Sequence, residues 1–225
     1  MQRYIRNINT LSIEENDSLK GFKVCVVGCG GLGGYIIEQL ARLGIGFITA
    51  VDGDIFDESN LNRQLLSEMD NLGCSKAKAA EERIGRVNPL ITVTPIQQRL
   101  TADNGLEIIK GHDVIVDALD NIESRIVLEE LAERAGIPLV HGAIAGWFGQ
   151  VTTIFPGDRT LRRLYPNDAQ HGMEKELGNP AFTPAMIASI QVAEVLKVLI
   201  KRGNTLSKRL LVINLLNHEY EVIEL

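Results

Sequence analysis

The sequence predicts an α/β protein on one mixed sheet, mostly parallel in its N-terminal half and antiparallel in its C-terminal half. Three observations lead there. From Phe22 onward, short β-rich runs alternate with segments of helical periodicity. A glycine-rich turn joins the first strand to the first long helix, and the last third of the chain carries runs that alternate like antiparallel strands. The pattern is Rossmann-like.

Residues 1–20 precede the first strand as a polar arm. FKVCVV (22–27) reads as a buried strand, and GCGGLG (28–33) turns into a helix carrying Ile36, Ile37, Leu40 and Leu43, stopped by Gly44. FITAVD (47–52) is the second strand. Ala77, Ala80, Ile84 and Val87 recur at helical spacing before Pro89, and LITVTPI supplies another strand. DVIVDA (113–118) follows a short helix. A helix through Ile126, Leu131 and Ala135 ends at Gly136, and IPLVHG returns to the sheet. QVTTIF (150–155) alternates as an antiparallel strand. The polar stretch 156–180 has no period and reads as a long loop. Thr183 is placed to cap the last helix, with Pro184 at its first position and Gly203 past its end. RLLVINLL and HEYEVIEL, joined around Asn217, complete the sheet.

Composition narrows the function. A chain of 225 residues, 45% hydrophobic, can bury one sizeable core, so a single domain spanning 1–225 is expected. A net charge of −6 leaves no basic footprint for nucleic acid or a membrane surface. The start, MQRYIRNINT, carries no signal or anchor pattern, and Gln191, Glu194 and Lys197 interrupt the most apolar segment, Thr183 to Arg202. The three cysteines, Cys25, Cys29 and Cys74, are an odd number in a chain too long to need staples, which suits a reducing cytoplasm.

Gly28, Gly30 and Gly33 form GxGxxG between strand and helix, where backbone N–H groups and a helix N-terminus can approach phosphates. Asp52 ends the next strand, at the spacing of a ribose-binding carboxylate. These residues say nucleotide, without separating NAD from ATP. Immediately beyond, Asp54, Asn60, Arg63 and Gln64 crowd polar groups over the strand end. Lys76 opens a helix, an unfavourable place for a cation unless an anion is there. Arg63 and Lys76 can bracket a polyphosphate, and Asp117 and Asp120 follow another strand end, where a carboxylate suits magnesium. Each has a plainer alternative: Arg63 a surface charge, Lys76 a solvated helix residue, Asp120 a helix cap.

RYIRNI, GCGGLG, SNLNRQ, GCSKAKA and DALDN stand in the order and at the spacing seen in the ThiF/MoeB/HesA proteins, bacterial relatives of ubiquitin-activating enzymes, which this sequence resembles over residues 3–145 and more loosely beyond. The resemblance implies ATP-dependent adenylation of a carboxylate in a homodimer. Gly28, Gly30, Gly31, Leu32 and Gly33 would surround ATP, Asp52 would hold the ribose, and Arg63 and Lys76 would contact phosphates. Asp120 would bind Mg2+, with Asp54, Asn60, Gln64 and Asn121 in supporting polar roles, and Arg6 would reach into the partner subunit. Residues 21–145 would form the nucleotide-binding half and 146–225 the substrate and dimer half. The implied acceptor is a ubiquitin-like sulfur-carrier protein or, alternatively, a small-molecule carboxylate; a nicotinamide dehydrogenase and a non-catalytic subunit are the rival classes.

The sequence departs from many such relatives after Cys74, where no cysteine follows. That excludes a four-thiolate zinc site and an acyl-accepting cysteine in the C-terminal half; His171 is the one soft ligand of the loop. Cys25 is expected to be a buried strand residue, and Cys29 and Cys74 small loop residues. His141 reads as a hydrogen-bonded histidine rather than a catalyst, and Trp147 and Phe148 as core or interface aromatics.

Overall fold

A computed structural model describes residues 2–165 and 174–225. The arm is packed rather than frayed. Tyr4 is buried and its hydroxyl accepts from Asn88 Nδ2 at 2.8 Å, beside an Arg3–Asn88 side-chain bond. Leu11 and Leu19 enter the main core. Helix α1 (Ile13–Ser18) starts at a reciprocal capping box of Ser12 and Glu15. From the far end of the chain, Arg202 bonds Thr10 O at 2.6 Å and pairs with Glu15 at 3.2 Å.

The sheet then builds outward from β1 (Lys23–Val27), which feeds α2 (Gly31–Leu43) and returns in β2 (Phe47–Val51). Helix α3 (Lys76–Val87) leads to β3 (Thr92–Ile96), α4 (Gly105–Ile109) to β4 (Val114–Asp117), and α5 (Ile122–Ala135) to β5 (Leu139–Ala145). These five strands are parallel. Alternate residues of β1 serve two cores, Val24 and Val26 on one face, Cys25 and Val27 on the other. Burial on both faces is what a parallel sheet with crossover helices demands.

Strand β6 (Phe148–Ile154) turns back on β5 antiparallel. Two short helices follow, α6 (Thr160–Leu164) and α7 (Glu174–Leu177), then α8 (Phe182–Ile200) and the antiparallel pair β7 (Arg209–Asn214) and β8 (Glu219–Glu224). The strand order is β3-β2-β1-β4-β5-β6-β7-β8, the mixed sheet expected.

Two expectations for the C-terminal half need correction. The stretch 156–180 is not one structureless loop, because α6 and α7 lie within it; His171 falls outside the described residues. Thr183 does not cap α8, whose N-cap is Ala181; its buried hydroxyl instead donates to Gly146 O at 2.6 Å, tying the helix to the β5–β6 turn. That turn carries Trp147 and Phe148, each 43% exposed, so neither is a core residue. Helix α8 is long and apolar enough to cross a bilayer, yet it packs against α2, β5 and β6 and buries Gln191 and Glu194.

Candidate functional site

In an open α/β sheet, ligands bind beyond the carboxyl ends of the strands where the strand order reverses. Here that point lies between β1 and β4, since the chain winds from β1 through β2 to β3 on one side and from β4 to β5 on the other. A cleft of about 450 Å3 opens there, a volume suited to a small ligand.

The glycine loop forms one wall. Gly28 has φ +99°, and a Cβ on it would lie 2.5 Å from Ala118 O. A Cβ on Gly33 would lie 1.8 Å from Gly28 O, so Gly33 lets the first turn of α2 seat on the loop and does not itself line the cleft. Gly28, Gly30, Gly31 and Leu32 do. Asp52 holds this wall in place: Oδ2 accepts from Cys29 N at 2.7 Å and Oδ1 from Asp54 N at 2.8 Å. Burial raises its pKa, opposed by those two N–H groups and by Lys76. Each oxygen keeps a lone pair for a ligand hydroxyl.

Lys76 and Arg63 both line the cleft. Lys76, capped by Ser75 at the start of α3, is 8% exposed, and its ammonium has a 3.8 Å ion pair with Asp54. Asp54 also binds Arg99 at 3.0 Å. Arg63 donates to two neutral oxygens, Ser59 O at 3.0 Å and Asn62 Oδ1 at 2.8 Å. Gln64 is buried beneath Gly30, and its Oε1 has no hydrogen-bond partner among the described residues.

Opposite, Asp120 is exposed on the cleft wall, 3.4 Å from Asn121 Nδ2. The cap of α5 is Asn121, whose Oδ1 accepts from Ser124 N at 2.8 Å, so Asp120 stays free of that duty.

Besides Gly33, three residues named from the sequence do not line this chain's own cleft, Arg6 among them having been expected in a partner's site. Asn60 is buried, with Oδ1 accepting from Asp57 N at 3.0 Å to brace its own turn. Asp117, considered beside Asp120 as a magnesium ligand, is fully buried and accepts from His141 Nδ1 at 2.7 Å and Leu119 N at 2.9 Å. Arg6 is exposed on the arm, away from the cleft. His141 is the satisfied histidine expected; burial lowers its pKa against the opposing pull of Asp117. Burial pushes the Cys25 thiol up to about 12 and Cys29 well above its ordinary value, so neither is a ready nucleophile.

The structure adds residues that sequence reasoning missed: Gln98 and Arg99 after β3, Arg125 in α5, and Asn179. Asn179 O accepts from Asn62 at 3.1 Å, while its Oδ1 is buried without a partner among the described residues.

Known proteins place this arrangement. The profile described as ThiF family matches residues 3–225. The SAMP-activating enzyme E1 of Haloferax volcanii is 35% identical over 228 residues, covering 99% of this chain and 84% of that protein. The molybdopterin-synthase adenylyltransferase of Salmonella typhimurium is 33% identical over 232 residues, covering 100% and 92%. Among solved structures, E. coli MccB with ATP matches with a TM-score of 0.85 at 22% identity, over 99% of this chain and 70% of that one, which is a likeness of fold. The family match runs from the docked arm to the last strand, and on that ground the chain belongs to the ThiF family.

Proposed function

We propose that the chain is an adenylyltransferase that binds ATP with magnesium and transfers AMP to the C-terminal carboxylate of a ubiquitin-like sulfur-carrier protein, releasing pyrophosphate. Lys76 is the observation that carries this reading. A nearly buried ammonium at the positive end of a helix, with one ion pair at 3.8 Å, is badly placed for stability. A polyphosphate in the cleft resolves the conflict. The names of the relatives, an E1 that activates SAMP and an adenylyltransferase of molybdopterin synthase, support the reaction class.

In the reaction proposed, a carboxylate oxygen attacks the α-phosphorus in line. The bond from that phosphorus to the oxygen bridging to the β-phosphate breaks, and pyrophosphate leaves with the electron pair. The product is a mixed acyl-phosphate anhydride. A carboxylate needs no general base, so the obstacle is negative charge gathering on phosphate oxygens. Lys76 and Arg63 offset it from fixed positions, and backbone N–H groups at the start of α2 hold the phosphates. Asp52 holds the ribose while keeping the glycine loop in place.

Asp120 would hold the metal: an exposed carboxylate facing the cleft, completed by phosphate oxygens, is a donor set magnesium accepts. When bound, magnesium neutralises charge on the phosphate oxygens. Arg6, exposed and without a side-chain hydrogen bond or ion pair among the described residues, supports a homodimer in which each arm serves the partner's site.

Exchange of labelled pyrophosphate into ATP tests the proposal. Exchange should require a carrier with a free C-terminal carboxylate and persist in a folded triple Cys→Ser variant. Calorimetric binding of NAD with none of ATP would overturn it.

A further inference from the structure

Arg125 has no role in the reaction just described, yet its environment is anomalous. It is 4% exposed, sits in the first turn of α5 and lines the cleft. Every partner it has among the described residues is neutral. Leu119 O accepts from Nη2 at 2.8 Å and from Nε at 3.2 Å, Tyr165 OH lies 3.4 Å from Nη1, and the Tyr165 ring lies 5.7 Å from the guanidinium carbon. Among the described residues it joins no ion pair. Asp117 cannot serve, because its carboxylate is taken up by His141 and Leu119 N. A buried guanidinium cannot shed its proton, so a charge of this kind is expected to have a counter-charge. Its place at a helix N-terminus adds to the conflict.

We infer that Arg125 binds the acceptor carboxylate, holding it against the cleft for attack on the nucleotide. Its contacts leave one N–H on each terminal nitrogen, a pair whose spacing matches the two oxygens of a carboxylate. Position separates this anion from the nucleotide's phosphates. Lys76 and Arg63 come from the elements after β2, beside the glycine loop. Arg125 comes from the β4–α5 side and contacts Tyr165 of the C-terminal half, which also receives Gln150 Nε2 at 2.6 Å. The acceptor must enter from outside the nucleotide, and Arg125 lines the cleft on the side away from the elements that carry Lys76 and Arg63. The inference rests on the adenylation proposed above, and it names the residue that recognises the acceptor's reacting group.

The test uses the full chain with Arg125→Lys and Arg125→Gln variants. Sodium acetate is titrated at constant ionic strength into protein holding a non-hydrolysable ATP analogue, and the guanidinium 15N resonances are followed. The Arg125 signal is identified by its loss in the variants. A saturable shift of that signal is expected; no shift, or a shift caused only by inorganic phosphate in nucleotide-free protein, overturns the assignment. In pyrophosphate exchange, Arg125→Gln should raise the KM for the carrier at least tenfold and leave the KM for ATP within twofold. Loss of ATP affinity with an unchanged carrier KM, or no change in either, also overturns it. If the wild-type chain shows no exchange at all, the adenylation reading fails, while the acetate titration still decides whether Arg125 is a carboxylate site.

Discussion

Strands β1, β4 and β5 are buried along nearly their whole length, whereas every residue of β8 is exposed. The difference follows from coverage. Crossover helices close the parallel half on both faces, so a polar residue inside a strand needs a local partner, as His141 has in Asp117, and the strand ends form the cleft. In the antiparallel half α8 covers one face, and polar and apolar side chains reach the surface along the strands themselves. The same packing gathers polar groups at the strand ends of the first half and leaves the side chains of β8 exposed in the second.

That division breaks if the cleft of one chain is incomplete, and the largest effect expected tests this. Arg6→Ala should lower exchange by about 10³-fold, although Arg6 is remote from its own cleft. Mixed with an equally inactive Asp120→Ala protein, it should recover activity through heterodimers in which one site carries both changes and the other neither. Demonstrated heterodimers without recovery would remove Arg6 from the site.

Steric tolerance sharpens the comparison next. Gly33→Ala sets a methyl group 1.8 Å from a backbone carbonyl, and should cost about 3 kcal/mol. Gly149→Ala in β6 meets Ile187 Cδ1 at 2.2 Å and Cγ1 at 2.4 Å, a buried side chain that can still change rotamer where a backbone carbonyl cannot, and should cost less, about 2 kcal/mol. Equal losses in urea denaturation would mean that the two halves are equally rigid.

At the seam, His141 couples the halves to pH. Its folded pKa is lowered by burial, so the unfolded chain takes up the proton first as pH falls through about 6.5. Stability from this residue is full above that value and is lost below it, by up to about 1.4 kcal/mol per pH unit, until the folded pKa is passed. Asp52 and Glu129 have raised pKa values and act with the opposite sign, mainly at lower pH. Stability measured between pH 7.5 and 5.5 should fall more steeply for wild type than for His141→Asn. The smallest effect is expected on β8, where Val222→Ser should stay within about 0.5 kcal/mol of wild type in the same urea assay.

What the sequence revealed divides along the same line. Gly28, Asp52 and Asp120 were legible because each sits just past a strand end, and Lys76 because it is a cation at the start of a helix; the winding of the sheet brings those strand ends together. Arg125 was not, since a charged residue in an amphipathic helix reads as solvated surface; its burial depends on Tyr165, forty residues away. Arg99 follows an edge strand and belongs to no motif. Helix α6 was lost because five residues are too few to show a period. Thr183 obeyed the grammar of an N-cap, but its hydroxyl found a carbonyl on another element.

Asp54, held between Lys76 and Arg99, changes how the nucleotide is met from afar. Among the described residues lining the cleft, Arg63, Lys76, Arg99 and Arg125 face Asp52, Asp54 and Asp120, four positive groups against three negative. On a chain whose overall charge is −6, so small a local excess draws a polyanion weakly across a Debye length of roughly 8 Å in physiological salt. Encounter is therefore governed by diffusion rather than by electrostatic steering, and capture rates should vary little with ionic strength. In the binding mode proposed, discrimination would begin only at contact, where phosphate oxygens would compete with Asp54 for Lys76 and Arg99.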